Sequence, residues 1–342
     1  MLRGITVGCG FFGNLHLEAW SRVEKAHIVA VVDKEEKKAE EAATRFGTGT
    51  GNRFGAQAYT ALGQAIEETS PDFVDVATRP DSHLAVVEVA AAQGCHVLCQ
   101  KPLAPTWPES VEIVAACKRY GVRLMVHENW RWQPWYREIK KLIASGIIGR
   151  VTTITLIRHE ADALLEPPFP NQPYFVDMER FLVIESVIHL IDTARFLGGE
   201  IDAVTCHMHK LSGVTKGEDS VHLHLHLRDE AWGILYSTRC SEPDLVDPVC
   251  DYARIEGRKG YVRLDRDGTL TVKPLHEPAF RHEYAIPEAG YRGDSVRRAL
   301  QHFADCLASN VPFETEGEEY LQVMRAVFAA YESAEAGTTI VL

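Results

Sequence analysis

Three groups of residues in this chain have the types and spacing to do chemistry. The first is Gly8-Cys9-Gly10-Phe11-Phe12-Gly13, directly after the apolar run Ile5-Thr6-Val7. A glycine turn of this kind between strand and helix lets a pyrophosphate approach the backbone at the helix N-terminus, where N–H groups favour negative charge. The helical pattern Leu15, Leu17, Ala19, Trp20 follows, and a second strand, His27 to Val32, ends on Asp33, 20 residues beyond Gly13. An acid at that distance bonds the adenosine ribose hydroxyls and disfavours a 2′-phosphate, which predicts NAD. Lys34 beside it makes this a preference rather than an exclusion.

The second group is Lys101-Pro102, at the end of the apolar strand Cys95 to Cys99 and after Gln100. A lysine held by a turn at a strand end can stabilise charge on a substrate oxygen. The third is Glu185 with His189, an i,i+4 pair that shares one helix face, with Asp192 three residues further on. A carboxylate beside an imidazole sets its tautomer and suits it to acid/base work. Taken alone, such a pair is an ordinary helix-surface feature.

The elements that must position these groups are legible as alternation. Strands and helices alternate over residues 1–125, the pattern of a parallel Rossmann sheet: helices are expected at 34–46, 61–68, 83–92 and 108–120, and strands at 73–77, 95–99 and 122–126. Thr78-Arg79-Pro80 follows the strand at 73–77, and Asp81 or Ser82 can cap the helix that opens with His83. The stretch Gly47 to Gly55 is expected to be a surface loop. In parallel sheets ligands gather at the carboxyl ends of strands, so Gly8, Asp33, Thr78, Lys101 and Asn129 should line one crevice.

Residues 126–342 are expected to form an α+β domain. A polar-aromatic bridge, His127 to Trp132, leads into an amphipathic helix at 134–144. Alternating strands at 151–158, 203–211, 221–227, 231–239, 252–256 and 261–264 predict a large, mostly antiparallel open-faced sheet. One helix, 184–197, interrupts them, and two more close the chain at 294–308 and 317–334.

Composition narrows the function classes. The chain has 342 residues, 46% hydrophobic and 25% charged, as in ordinary globular proteins. A net charge of −12 argues against nucleic acid or an anionic membrane as partner. No apolar stretch approaches the roughly 18 residues of a membrane span, and the N-terminus lacks a signal-peptide layout. The eight cysteines are scattered without a C-x-x-C pair, so reduced thiols in the cytoplasm are expected.

Two rival constellations are weaker. Tyr136 and Lys140 have the Y-x-x-x-K spacing of short-chain dehydrogenases, but Trp135, Ile139 and Leu142 mark the helix as simply amphipathic. His222, His224 and His226 alternate on one strand at about 7 Å spacing, too wide for one ion to take all three comfortably. A polar sheet face or a subunit interface is the expected reading, and no metal is.

Gly8 to Gly13, Asp33, Thr78-Arg79-Pro80 with His83, Gln100-Lys101-Pro102, and Glu185 through His189 to Asp192 together resemble the Gfo/Idh/MocA family (glucose–fructose oxidoreductase and inositol dehydrogenase), in order along the whole chain. The resemblance implies that Lys101 sits beside the reacting carbinol or carbonyl, that His189 accepts the proton, and that Glu185 supports it at the substrate. It also implies that Asn129 lies near cofactor and sugar, with the fingerprint, Thr78 to Pro80, His83 and Gln100 on the cofactor side. Two departures stand out. Gln100 replaces the family's glutamate and Glu185 its aspartate. The expected function is NAD-dependent oxidation or reduction of a sugar, cyclitol or sugar acid; a non-catalytic NAD-binding regulator is the alternative. The insert Asp162 to Glu179, with Tyr174, and the bridge Asn129 to Trp132, with Arg131, should shape the substrate pocket. Their resemblance to sugar dehydrogenases implies an aldopentose such as D-apiose. The His222-His224-His226 side of the strands, neither clearly core nor typical highly charged surface, predicts a homodimer or a homotetramer of dimers.

Overall fold

The first 47 residues build the nucleotide-binding turn expected of them. In the computed structural model, which describes residues 1–47, 55–242 and 251–342, β1 (Leu2–Val7) passes through Gly8 into α1 (Phe11–Trp20). The chain continues with β2 (Ala26–Val32), α2 (Glu36–Gly47), β3 (Gln57–Tyr59), α3 (Leu62–Thr69) and β4 (Phe73–Val76). Then come α4 (His83–Ala92), β5 (His96–Gln100), α5 (Trp107–Arg119) and β6 (Leu124–His127). The strands form a six-stranded sheet in the order β3-β2-β1-β4-β5-β6, and every pairing is parallel. Such a sheet is covered on both faces, and its central strands are apolar and buried: Ile5, Val31, Val74, Val76, Val97 and Leu98 are each 0% exposed. Most of the glycine-rich loop expected at 47–55 lies outside the described residues.

A nine-stranded sheet follows. Its elements are α6 (Pro134–Ala144), β7 (Val151–His159), α7 (Ile188–Gly198), β8 (Ile201–His209), β9 (Ser220–Leu227) and β10 (Ala231–Thr238). After them come β11 (Asp251–Gly257), β12 (Gly260–Leu264), β13 (Leu270–Pro274), β14 (Phe280–His282), α8 (Ser295–Ser309), α9 (Gly317–Ala336) and β15 (Ile340–Val341). The strand order is β14-β13-β12-β11-β7-β10-β9-β8-β15, antiparallel except for β7 beside β10. One face is a packed core, with Leu156, Leu223, Leu225, Ile255 and Val262 fully buried. α7 packs against β7 and β10 on that face. It comes close enough that a side chain at Gly198 would collide with Ile154 and Leu227. The opposite face carries His222, His224, Trp232 and Ile234, all exposed.

By internal packing the chain divides into two units, 1–129 with 294–324, and 130–293 with 325–342. Segment 294–324, expected within the second domain, thus packs with the Rossmann sheet. The cause is aromatic. Phe303 of α8 meets Phe73 edge-on at 5.2 Å and Trp20 at 6.4 Å, and stacks on Phe313 at 5.2 Å. The same segment also pairs with β6, where the Val126 amide donates to the Thr315 carbonyl at 2.8 Å.

Candidate active site

In the first unit, the fingerprint turn is built by close approach. Gly8 has φ +99°, and a Cβ on Gly13 would lie 1.9 Å from the Gly8 carbonyl oxygen, so α1 can seat on the turn only without side chains there. Gly10 differs. A Cβ there meets nothing within 4 Å, which leaves open space in front of the helix N-terminus. No side chain caps α1 and no acid occupies its first turn. An uncapped N-terminus facing open space suits a pyrophosphate. Asp33 is tied to this turn: its Oδ2 accepts from the Cys9 amide at 2.8 Å and its Oδ1 from the Glu35 amide at 3.0 Å. A carboxylate offers about four acceptor directions, so capacity remains for ribose hydroxyls. Burial, then Asp33, push the Cys9 thiol up to about 12, which keeps a second negative charge out of the turn. These residues fit NAD.

Thr78 follows β4, half-buried, with its hydroxyl accepting from Ser82 at 2.8 Å; Arg79 is exposed and faces Asp81. Pro80 opens a short 3-10 turn into α4. His83, expected on the cofactor, is instead fully buried, its ring nitrogens 3.1 Å from the Thr78 and Leu103 carbonyl oxygens. It therefore braces the two loops that follow β4 and β5 from behind. Lys101 leaves the end of β5 with its side chain largely buried, through a cis peptide bond to Pro102. Asn129, 1% exposed, donates to Ser295 at 2.8 Å, while its Oδ1 has no hydrogen-bond partner among the described residues.

In the second unit, Glu185 and His189 do not sit on one regular helix. Residues 183–187 form a π turn, and α7 begins at Ile188. The wider turn displaces Glu185 around the axis from the α-helical i,i+4 position, a local distortion common at functional sites. Glu218 holds this turn from its N-terminal end, accepting from the Val183 amide at 2.9 Å, the Phe181 amide at 3.3 Å and the Tyr331 hydroxyl at 2.8 Å. Glu185 is the one residue of the turn that is not buried. His189, 5% exposed, stacks on Trp130 at 4.6 Å, and the Arg158 guanidinium lies 4.5 Å from that same indole.

Asp192, expected to flank His189, lies three residues after it on α7 and makes a further pairing. Asp192 is fully buried and takes the Arg131 guanidinium at both oxygens, with Nε–Oδ2 2.8 Å. Arg131, expected at the substrate, is 5% exposed and holds this pair with Asp192 of α7. Trp132 is likewise buried, under Arg137 at 4.4 Å. Tyr174 stands half-exposed on a short 3-10 turn, its hydroxyl accepting from Gln172 at 2.9 Å. Tyr136 and Lys140 are structural. Tyr136 donates to Asp251 at 2.7 Å and Lys140 to the Phe196 carbonyl at 2.6 Å. Sequence reasoning missed Arg158 and Glu218, which come from separate segments, and included Trp130 only as part of the bridge Asn129 to Trp132.

The chain is similar to known proteins over nearly its whole length. Residues 2–128 match the model of the GFO_IDH_MocA oxidoreductase family with an NAD-binding Rossmann fold, and residues 136–263 match the GFO/IDH/MocA C-terminal domain. A D-apiose dehydrogenase of Paraburkholderia graminis is 31% identical, over 99% of this chain and 89% of that protein. The chain belongs to the Gfo/Idh/MocA family. A second D-apiose dehydrogenase, from Rhizobium rhizogenes, is 32% identical over 99% of this chain and 97% of its own. A crystal structure of an oxidoreductase from Agrobacterium radiobacter, in complex with NAD+, L-tartaric acid and magnesium, superposes with a TM-score of 0.91 at 30% identity, covering 99% of this chain and 98% of that one. This Gfo/Idh/MocA member is an NAD-dependent oxidoreductase.

Proposed function

We propose that the protein oxidises a carbinol of a sugar or polyol, an aldopentose of the D-apiose type being the first candidate. The observation that carries this is the similarity, across 99% of the chain, to two enzymes named D-apiose dehydrogenase. When bound, NAD supplies the hydride acceptor, and the hydroxyl proton must go to a base. Lys101 places a positive charge at the reacting oxygen and stabilises it as the alkoxide develops. His189 accepts the proton, with Glu185 supporting it, and the Trp130 indole favours the charged imidazolium over its face. Asn129 and Tyr174 orient the sugar. Incubating the protein with NAD and a panel of aldoses, cyclitols and sugar acids while following NADH absorbance tests this. Tight NAD binding with no turnover on any of them would favour the non-catalytic regulator.

The assembly is a homodimer, or a tetramer of dimers, through the outer face of the nine-stranded sheet. Trp232 and Ile234 are 45% and 42% exposed on that face; His222 stacks on Tyr236 at 4.3 Å, and His226 meets Trp232 at 3.9 Å with the rings tilted. Exposed large aromatic surface on a flat sheet favours burial against a symmetric copy. Seven free thiols among the described residues fit a reducing, cytoplasmic setting.

A further inference from the structure

Gln100 ends β5 almost fully buried, next to Lys101 in the chain. Its Oε1 accepts from the Lys101 amide at 2.8 Å. A backbone N–H is always a donor, so this bond fixes which end of the side-chain amide is which. The other end, Nε2, lies 2.9 Å from His16 Nε2 and 3.0 Å from His127 Nδ1. An amide nitrogen has two hydrogens to give and no lone pair to offer. Both ring nitrogens facing it must therefore be unprotonated acceptors. For His16 the single ring proton then sits on Nδ1, which lies 3.0 Å from both Asp75 oxygens. For His127 it sits on Nε2.

We propose that Gln100 is a positioning residue that fixes the proton count behind Lys101: its amide holds His16 and His127 as opposite neutral tautomers while its oxygen clamps the Lys101 backbone. The chain of bonds closes on Asp75, fully buried, which also accepts from Trp20 Nε1 at 2.7 Å and from the Thr6 hydroxyl at 3.4 Å. Three neutral donors satisfy that carboxylate without a cation. The Cys99 thiol, pushed well up by burial and by its neighbours Cys117 and Asp75, stays neutral. Glu128, next after His127, is buried and bonded by the Tyr320 hydroxyl at 3.1 Å. Lys101 thus leaves its strand against a network in which every hydrogen bond to Gln100 and Asp75 has a defined donor.

A glutamate at position 100 would have the same shape and reverse this logic. Its oxygens have no hydrogens to give, so His127 would have to move its proton to Nδ1. His16, whose Nδ1 proton is already held by Asp75, would have to become an imidazolium. The network would gain one proton and one titration.

The role for Lys101 rests on the dehydrogenase reading above, but the tautomers do not, and the tests separate the two. Nitrogen-15 histidine spectra of the wild-type protein need neither a variant nor turnover. The expected result is a neutral Nδ1–H His16 and a neutral Nε2–H His127 at neutral pH. An imidazolium at either residue, or the opposite tautomer at either, overturns the proposal. In Gln100→Glu the same spectra should show His16 protonated, and the pH profile of kcat/KM should acquire an ionisation that the wild type lacks. A folded Gln100→Glu with a neutral His16 also overturns it. Gln100→Leu removes the clamp on the Lys101 amide and should lower kcat on the order of 10-fold, with the NAD KM within about 3-fold. Unchanged kcat in that variant removes the positioning role.

Discussion

The indole of Trp130 and the imidazole of His189 lie stacked, ring centroids 4.6 Å apart and planes 22° from parallel. Trp130 is held there by its Nε1–H bond to Asp251 at 2.6 Å, which also anchors Tyr136 of α6. The electron-rich ring face stabilises a positive charge, at about 0.5–2 kcal/mol when partly desolvated. Trp130→Leu should therefore lower kcat/KM about 3- to 30-fold, mainly where His189 must hold the proton, with Trp130→Phe in between. Steady-state rates across pH decide it; equal profiles for all three would mean that the stack is only packing.

Lys101→Ala should lose at least about 100-fold in kcat while NAD binding largely survives, because its charge acts on the substrate oxygen and not on the fingerprint turn. Rates at saturating substrate, with NAD titrated by fluorescence, check both halves. Near-normal kcat would make the lysine structural.

Asp33 holds the Cys9 amide as well as offering its free acceptor directions to a ribose, so Asp33→Ser acts twice. NAD use should weaken about 10-fold or more and the NADP-to-NAD ratio of kcat/KM should rise. A wild type that prefers NADP would overturn the role assigned to Asp33.

Acid sensitivity should trace to a buried cluster around Arg239. Burial alone would raise Glu160, but the charges of Arg158 and Arg239 outweigh it and hold its carboxyl at about 2 instead of 4.5. A depressed carboxylate stabilises the fold above the unfolded value. That contribution is lost as pH falls from about 4.5 toward 2. Asp162, bonded to Arg239 at 2.7 Å, is pushed up by burial and so opposes this in sign. Glu160→Gln should flatten the loss of thermal stability below about pH 4.5, measured by Tm against pH. A wild-type slope retained in the variant would place the acid response elsewhere.

His224→Glu sets new charges on the exposed face of the nine-stranded sheet, near their symmetry mates in the proposed dimer. It should shift the assembly toward monomers without loss of secondary structure. Light scattering on wild type and variant decides it: a monomeric wild type at micromolar concentration ends the idea, and an intact variant oligomer moves the interface to another surface.

What could be read from the chain alone was what local geometry dictates. The turn at Gly8 to Gly13 and the bond from Cys9 to Asp33 lie within one strand–helix–strand unit, where glycine spacing and apolar runs determine the backbone. The helices at 83–92 and 134–144 begin and end where the sequence puts them, because the prolines at their starts and the glycines after them are local; the cap expected from Asp81 or Ser82 is not made, the Ser82 hydroxyl turning back to Thr78 and Arg79. The alternation of strands after residue 150 made the second sheet legible in the same way, though not the short strands β13, β14 and β15 that extend its edges. The tertiary structure decided everything that joins distant segments. Gln100 meets His16 across 84 positions, Asp192 meets Arg131 across 61, and Phe303 draws α8 onto the Rossmann sheet rather than the one that precedes it in the chain. The π turn that carries Glu185 belongs to this class as well. Its wider winding is held by Glu218 and Tyr331, 33 and 146 positions away, and no local propensity encodes a carboxylate arriving from a distant loop. Residue spacing reports which side chains can share a face. Which partner claims each of them is settled only when the fold brings the competitors within hydrogen-bond reach.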